Sequence, residues 1–160
     1  MKQFISSALF ALLLLSHNSL AEFNQAPDFN LPGIGSSVKL AELKGKVVYL
    51  DFWASWCEPC KESFPWLHDI KQMYADKGFE VVAVNLDKDR KLADEFLKVM
   101  DVNFVLAFDE NGESAKKYKL KGMPSSYLIG RDGMLYASHI GFKEKDKKKL
   151  EQAIKELLAK

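Results

Sequence analysis

Apolar positions run along this chain in two rhythms. Residues 47–54, "VVYLDFWA", are apolar throughout except for Asp51 and rich in β-branched and aromatic residues, which predicts a strand buried on both faces. "FEVVAVNLD" and "FVLAFD" repeat that pattern. Between them the period lengthens to that of a helix. One helix is expected over 57–77, with Phe64, Leu67, Ile70 and Tyr74 inward, a kink at Pro65 and a stop at Gly78; the pattern leaves Trp66 unassigned, an exposed position being open to it. A second is expected over 89–100, with Leu92, Phe96, Leu97 and Val99 inward. The polar run Asp109-Glu110-Asn111-Gly112 turns into a short helix ending near Tyr118. "SSYLIG" and "MLYASHI" read as two strands joined by the tight turn Arg131-Asp132-Gly133. A last helix over 145–158 buries Leu150, Ile154 and Leu157. Ahead of all this, Pro27, Pro32, Gly33 and Gly35 punctuate an extended lead-in, where Phe29, Leu31, Val38 and Leu40 suit a short hairpin.

The order β-α-β-α-β-α-β-β-α predicts an α/β fold. Its central mixed, largely parallel sheet is flanked by helices and closed by an antiparallel hairpin, with the lead-in as an N-terminal extension. No Gly- or Ser-rich linker divides it, so 22–160 is expected to be one domain.

The first residues are of another kind. Lys2 precedes an apolar run over 4–15, then polar Ser16-His17-Asn18 and the small-residue pattern Ser19-Leu20-Ala21. This is the layout of a secretory signal peptide over 1–21, with cleavage after Ala21 and export from a bacterial cytoplasm to the periplasm. The run is short of the roughly 20 residues a membrane span needs, and an uncleaved anchor is the alternative. Of 23 Lys and Arg, Lys2 alone leaves with that segment, so 22 basic face 22 acidic side chains. That balance does not call for nucleic acid or an anionic membrane as partner.

Export places the two cysteines, Cys57 and Cys60, where disulfides persist. A bridge across two intervening residues closes too small a loop to be an effective staple. Two thiolates alone do not make a zinc site, since His68 lies eight residues beyond Cys60 and His139 is remote. A redox role fits better. Cys57 ends a strand and begins a helix, where first-turn N–H groups and the helix dipole favour thiolate, so it is the expected nucleophile. Cys60, one turn further in, is the expected resolving thiol. Between them, Pro59 costs little at a helix start, while Glu58 suits that position yet opposes a neighbouring thiolate. Trp56 is expected to shield the disulfide, and Phe52 and Trp53 to lie in the core. The lysine-rich stretch 143–149 reads as a solvated helix face, and His68 and His139 as surface or satisfied side chains.

"DFWASWCEPC" resembles the active-site strand and motif of thioredoxins. "YKLKGMPSSYLI", with Pro124 placed 64 positions after Cys60, is similar to their second element. "APDFNLPG", the signal segment and "CEPC" resemble the exported TlpA/ResA-like thiol-disulfide oxidoreductases. The resemblance implies a thioredoxin-like fold, a cis-proline at Pro124 beside the sulfurs, and a Met123 backbone able to pair with an extended substrate segment. No cofactor is implied beyond the redox-active Cys57–Cys60 disulfide, and no metal.

Asp51 stands in a buried strand, where a carboxyl is costly unless it does something, and it matches the buried aspartate of thioredoxins. Desolvation raises its pKa and suits it to take the Cys60 proton. Two departures qualify the match. Thioredoxin's buried lysine on the next strand corresponds to Ala83. The glutamate usual in the TlpA/ResA-like branch corresponds to Ser63, with Glu62 one place earlier. Asp51 is therefore expected to replace that helix acid, with Glu62 the competing candidate. The resemblance also implies reduction of disulfides in exported proteins, apocytochrome c among them, fed by a membrane thiol shuttle. A thiol oxidant, or a non-enzymatic copper(I) site on the two thiolates, is the alternative. Peroxide reduction would need a Thr/Pro-rich approach to a lone cysteine, which "WASWCEPC" lacks.

Overall fold

The structure, a computed structural model, describes residues 25–160; the expected signal segment lies outside the described residues. Its lead-in forms a small hairpin, β1 (Asn30–Pro32) with β2 (Ser37–Lys39), in which Leu31 stands opposite Val38. Gly33 leaves this hairpin to bridge Ala107; a Cβ there would meet Ser36 O at 2.5 Å, so only glycine fits the close approach.

The main sheet has the order β5-β4-β3-β6-β7. Strands β3 (Val47–Trp53), β4 (Phe79–Asn85) and β5 (Val105–Phe108) are parallel. Strands β6 (Ser125–Ile129) and β7 (Leu135–Ile140) close the sheet as an antiparallel hairpin against β3. All seven residues of β3 and all seven of β4 are buried, as continuous apolar strands require.

Successive side chains point to opposite faces, so the strands split into two cores. Val47, Tyr49 and Trp53 join one face with Val81, Ala83, Leu106 and Leu128. It is covered by α1 (Glu58–Tyr74), α2 (Arg90–Leu97) and α4 (Lys147–Leu158). Val48, Leu50 and Phe52 join the other with Val82, Val84, Tyr127 and Ile129. That face is covered by the lead-in, through Ala26, Phe29 and Leu40, and by Tyr118 after α3 (Glu113–Lys117). Each fully buried large side chain contributes about 1.5–3 kcal/mol. The short helix α3 is held by Asp109, whose carboxylate accepts from the Glu113 and Ser114 N–H groups at 3.0 and 2.8 Å.

Three expectations are corrected. Helix α2 begins at the Asp89 cap, which accepts from Lys91 N–H at 3.0 Å, but it ends at Leu97. Its buried residues are Ala93 and Phe96, whereas Leu92 is 50 % and Val99 80 % exposed. The inward helix positions are 93, 96 and 97, with Met100 packing on the same core after the helix; Leu92 lies one position, about 100° of helix, off that stripe, and Val99 falls beyond the last turn. Trp66, which the pattern leaves unassigned, is buried between Tyr49 and Phe142, at ring distances of 5.7 and 5.4 Å, because the chain after β7 folds back over α1. The last helix begins at Lys147, after a 3-10 turn over Glu144–Asp146. The first helix runs through Pro65 to Tyr74, and after a further 3-10 turn the chain stops at Gly78, in the left-handed conformation at φ 76°.

Candidate active site

Two loops leave the same end of the β3–β6 pair. β3 ends at Trp53, and the turn Ala54-Ser55-Trp56 delivers Cys57 as the N-cap of α1, with Cys57 N–H donating to Ala54 O at 3.0 Å. Cys60, one turn on, donates its N–H to Cys57 O at 3.1 Å. The two sulfurs are bonded at 2.04 Å with Cα atoms 5.3 Å apart. Cys57 keeps 4 % of its surface in solvent and Cys60 none, the order expected of an attacking and a resolving thiol. Pro59 sits in the first turn of α1, and the exposed Glu58 pairs with Lys61 at 2.7 Å.

On the neighbouring strand, Ser125 stands opposite Phe52, so Met123 and Pro124 come level with the end of β3. The Met123–Pro124 peptide bond is cis. Ser125 Oγ donates to Gly122 O at 2.6 Å, and Gly141 N–H to Pro124 O at 2.7 Å, tying the loop to the chain after β7. Met123 packs on the core cluster that contains both cysteines. Trp56 projects from the surface beside Cys57, while Phe52 and Trp53 are fully buried.

Asp51 shares a strand face with Val47, Tyr49 and Trp53, the face on which the cysteine cluster lies. It is buried, and its Oδ2 finds no hydrogen-bond partner among the described residues. Burial pushes its carboxyl well above the ordinary carboxylate range. Glu62 is exposed on α1 and points to solvent, whereas Ser63 is buried and donates to Cys60 O at 3.0 Å. The geometry thus separates the two candidate acids, with only Asp51 inside.

One functional residue escaped the sequence. Asp87, just beyond β4, is buried; its carboxylate accepts from Ser55 N–H and Ser55 Oγ at 2.9 Å each and from Asn85 Nδ2 at 2.7 Å. It clamps the loop that presents Trp56 and Cys57. The only signal was a polar "NLD" at the end of an apolar run. Among the described residues, no three His, Cys, Asp or Glu side chains gather into a metal-holding group.

A mixed five-stranded sheet with a Cys-X-X-Cys helix start facing a cis-proline loop defines a thioredoxin-like protein that exchanges dithiol for disulfide. The comparisons with known proteins agree, and the chain belongs to the Redoxin family, whose model matches residues 21–154. It is 42 % identical over 113 residues to the thiol-disulfide oxidoreductase ResA of Oceanobacillus iheyensis, covering 68 % of this chain and 59 % of that protein. It is 34 % identical to the ResA of Bacillus thuringiensis subsp. konkukian, covering 83 % of this chain and 76 % of the other. Among solved structures, a candidate thiol:disulfide interchange protein DsbE from Chlorobium tepidum superposes with a TM-score of 0.85 at 49 % identity, covering 88 % of this chain and 99 % of that one. The chain is a protein-disulfide oxidoreductase, and its substrates are disulfide-bearing proteins.

Proposed function

We propose that the protein reduces disulfides of exported proteins, with Cys57 as nucleophile, Cys60 as resolving thiol and Asp51 as proton acceptor. The observation that carries this reading is the unequal placement of the three groups. One cysteine keeps a sliver of exposure at a helix start, one is fully buried a turn away, and a buried carboxyl shares their face of the sheet. In the reduced protein, the helix start stabilises the Cys57 thiolate. That thiolate attacks the client disulfide, a Cys57–client bond forms, and the first client sulfur leaves with the electron pair. Asp51 then takes the Cys60 proton, Cys60 attacks Cys57, and the second client sulfur leaves. Trp56, Met123 and Pro124 border the attacking sulfur and supply the client surface, the Met123 backbone pairing with an extended client segment. The redox-active disulfide is the whole cofactor.

Residues 22–160 form the working domain once 1–21 are removed, and the periplasm is its place of action. No described helix is long and apolar enough to cross a membrane. The electron donor in this reading is a membrane thiol shuttle, and apocytochrome c is one client of the class. Cys60→Ser, incubated with a peptide disulfide, is expected to accumulate a mixed disulfide at Cys57, and Cys57→Ser to stay inert. Reversal of that pattern overturns the assignment. The equilibrium potential against glutathione sets the direction: a value near −270 mV, about that of thioredoxin, supports a reductase, and one near −120 mV makes the protein an oxidant.

A further inference from the structure

Asp51 is walled differently on its two sides. Across the β3–β4 ladder its partner is Ala83, which has no polar side-chain group. Across the β3–β6 ladder its partner is Ser126, whose own partner on β7 is His139. Side chains in direct register share a face of the sheet, with β-carbons about 4.5–5.5 Å apart. Asp51, Ser126 and His139 therefore make one polar row from the centre of the sheet to its edge strand. Tyr49 joins it, its hydroxyl donating to Ser126 Oγ at 2.8 Å, which leaves the Ser126 proton free for another acceptor. At each end lies a buried polar atom with no hydrogen-bond partner among the described residues, Asp51 Oδ2 and His139 Nε2. Between the sheet and α4, a cavity of about 90 Å³ is lined by Tyr49, Ser126, His139 and Lys149, with room for a short chain of waters. At the outer end the His139 side chain is 27 % exposed as a whole, while its buried Nε2 is 3.5 Å from Asp146 Oδ2.

Resting on the assignment of Asp51 as proton acceptor, we infer that Ser126, His139 and the cavity beside them are the route by which the Asp51 proton exchanges with solvent. The proton balance of the resolving step calls for such a route. As the Cys60–Cys57 bond forms, the Cys57–client bond breaks with its electron pair on the client sulfur, and the Cys60 proton goes to Asp51. The client thiolate takes its proton from solvent. One proton is consumed outside and one is left in the core. The row carries the second outward, from Asp51 through the Ser126 hydroxyl and cavity water to His139 Nε2, so the carboxylate is restored without waiting for the next reduction of Cys60. The client disulfide is the only oxidant involved. An imidazole ring carries two nitrogens, one able to accept a proton while the other donates one. The groups facing it are Asp146 ahead of α4, Lys149 on α4, and Ser126, Tyr49 and Asp51 on the sheet. Burial keeps Tyr49 neutral, so Tyr49 orients Ser126 and does not take the proton itself.

The test is infrared exchange on the oxidised full-length protein. The protonated-carboxyl band that Asp51→Asn abolishes is followed after transfer into D2O, at a pH where the band is strong. Ser126→Ala and His139→Leu are each expected to slow its isotope shift about tenfold or more. Ser126→Thr, which keeps the hydroxyl, should retain the native rate, and added imidazole should recover His139→Leu, which a merely structural role would not allow. Native exchange rates in both slow-designed variants, with Asp51→Asn still impairing mixed-disulfide resolution, overturn the route and leave the acceptor standing. Unimpaired resolution in Asp51→Asn removes the acceptor and the route with it.

Discussion

Burial sets the behaviour of Asp51 before any client arrives. The core raises the proton affinity of the carboxyl, while in the unfolded chain it ionises in the ordinary range. Between those two titrations the folded state carries one more proton, so stability falls as pH rises through that window. Asp51→Asn should therefore be more stable than the parent at neutral pH, the difference closing below about pH 4. Urea unfolding at a series of pH values measures this, each tenfold change in proton affinity being worth about 1.4 kcal/mol. Asp87 predicts the opposite sign. Asp87→Ala orphans the Ser55 N–H and the Asn85 amide, at a cost of about 2 kcal/mol in urea unfolding, and slackens the turn before Cys57. Asp51 was legible in the sequence because it is the one charge among the seven buried residues of β3. Asp87 was not, because a polar residue after a strand looks like any loop start; its role exists only once β3 and β4 are paired.

At the scale of elements, period alone placed α1, whose residues Phe64, Leu67, Ile70 and Tyr74 are all buried as expected. It misplaced the edges of α2 because an eight-residue helix has too few turns for its phase to be read from four apolar positions. Trp66 shows a different limit. What covers it, Phe142, is 76 positions away in the sequence, and nothing local announces the contact. The two cases separate experimentally. Phe142→Ala should cost about 3–5 kcal/mol and shift tryptophan emission to the red as Trp66 meets water, the range found for buried Phe→Ala changes. Leu92→Ala, by contrast, should stay within about 0.5 kcal/mol of the parent, since half that side chain is already in solvent.

For the whole molecule, the alternation of buried strands and helices was enough to predict a mixed sheet with a closing hairpin, and the two loop motifs were enough to predict what meets at its end. The sheet explains why loops so far apart in sequence meet: Phe52 and Ser125 are ladder partners one residue before Trp53 and one residue after Pro124. The pairing of Asp51 with Ser126, and through it with His139, was beyond the sequence, because it depends on strand register across an antiparallel junction and not on any motif.

The near-burial of Cys57, the proposed nucleophile, carries one more consequence. With 4 % of Cys57 open to water, so small an exposed area favours a cystine carried on a thin, uncoiled stretch of chain over one held in a rounded, packed surface. The enzyme should thus sort clients by how loosely they are folded. Given one protein whose bridge lies in its packed interior, it should leave the native form almost untouched and cleave the same bridge readily once mild urea has loosened the fold, a contrast that thiol counting during the reaction would record.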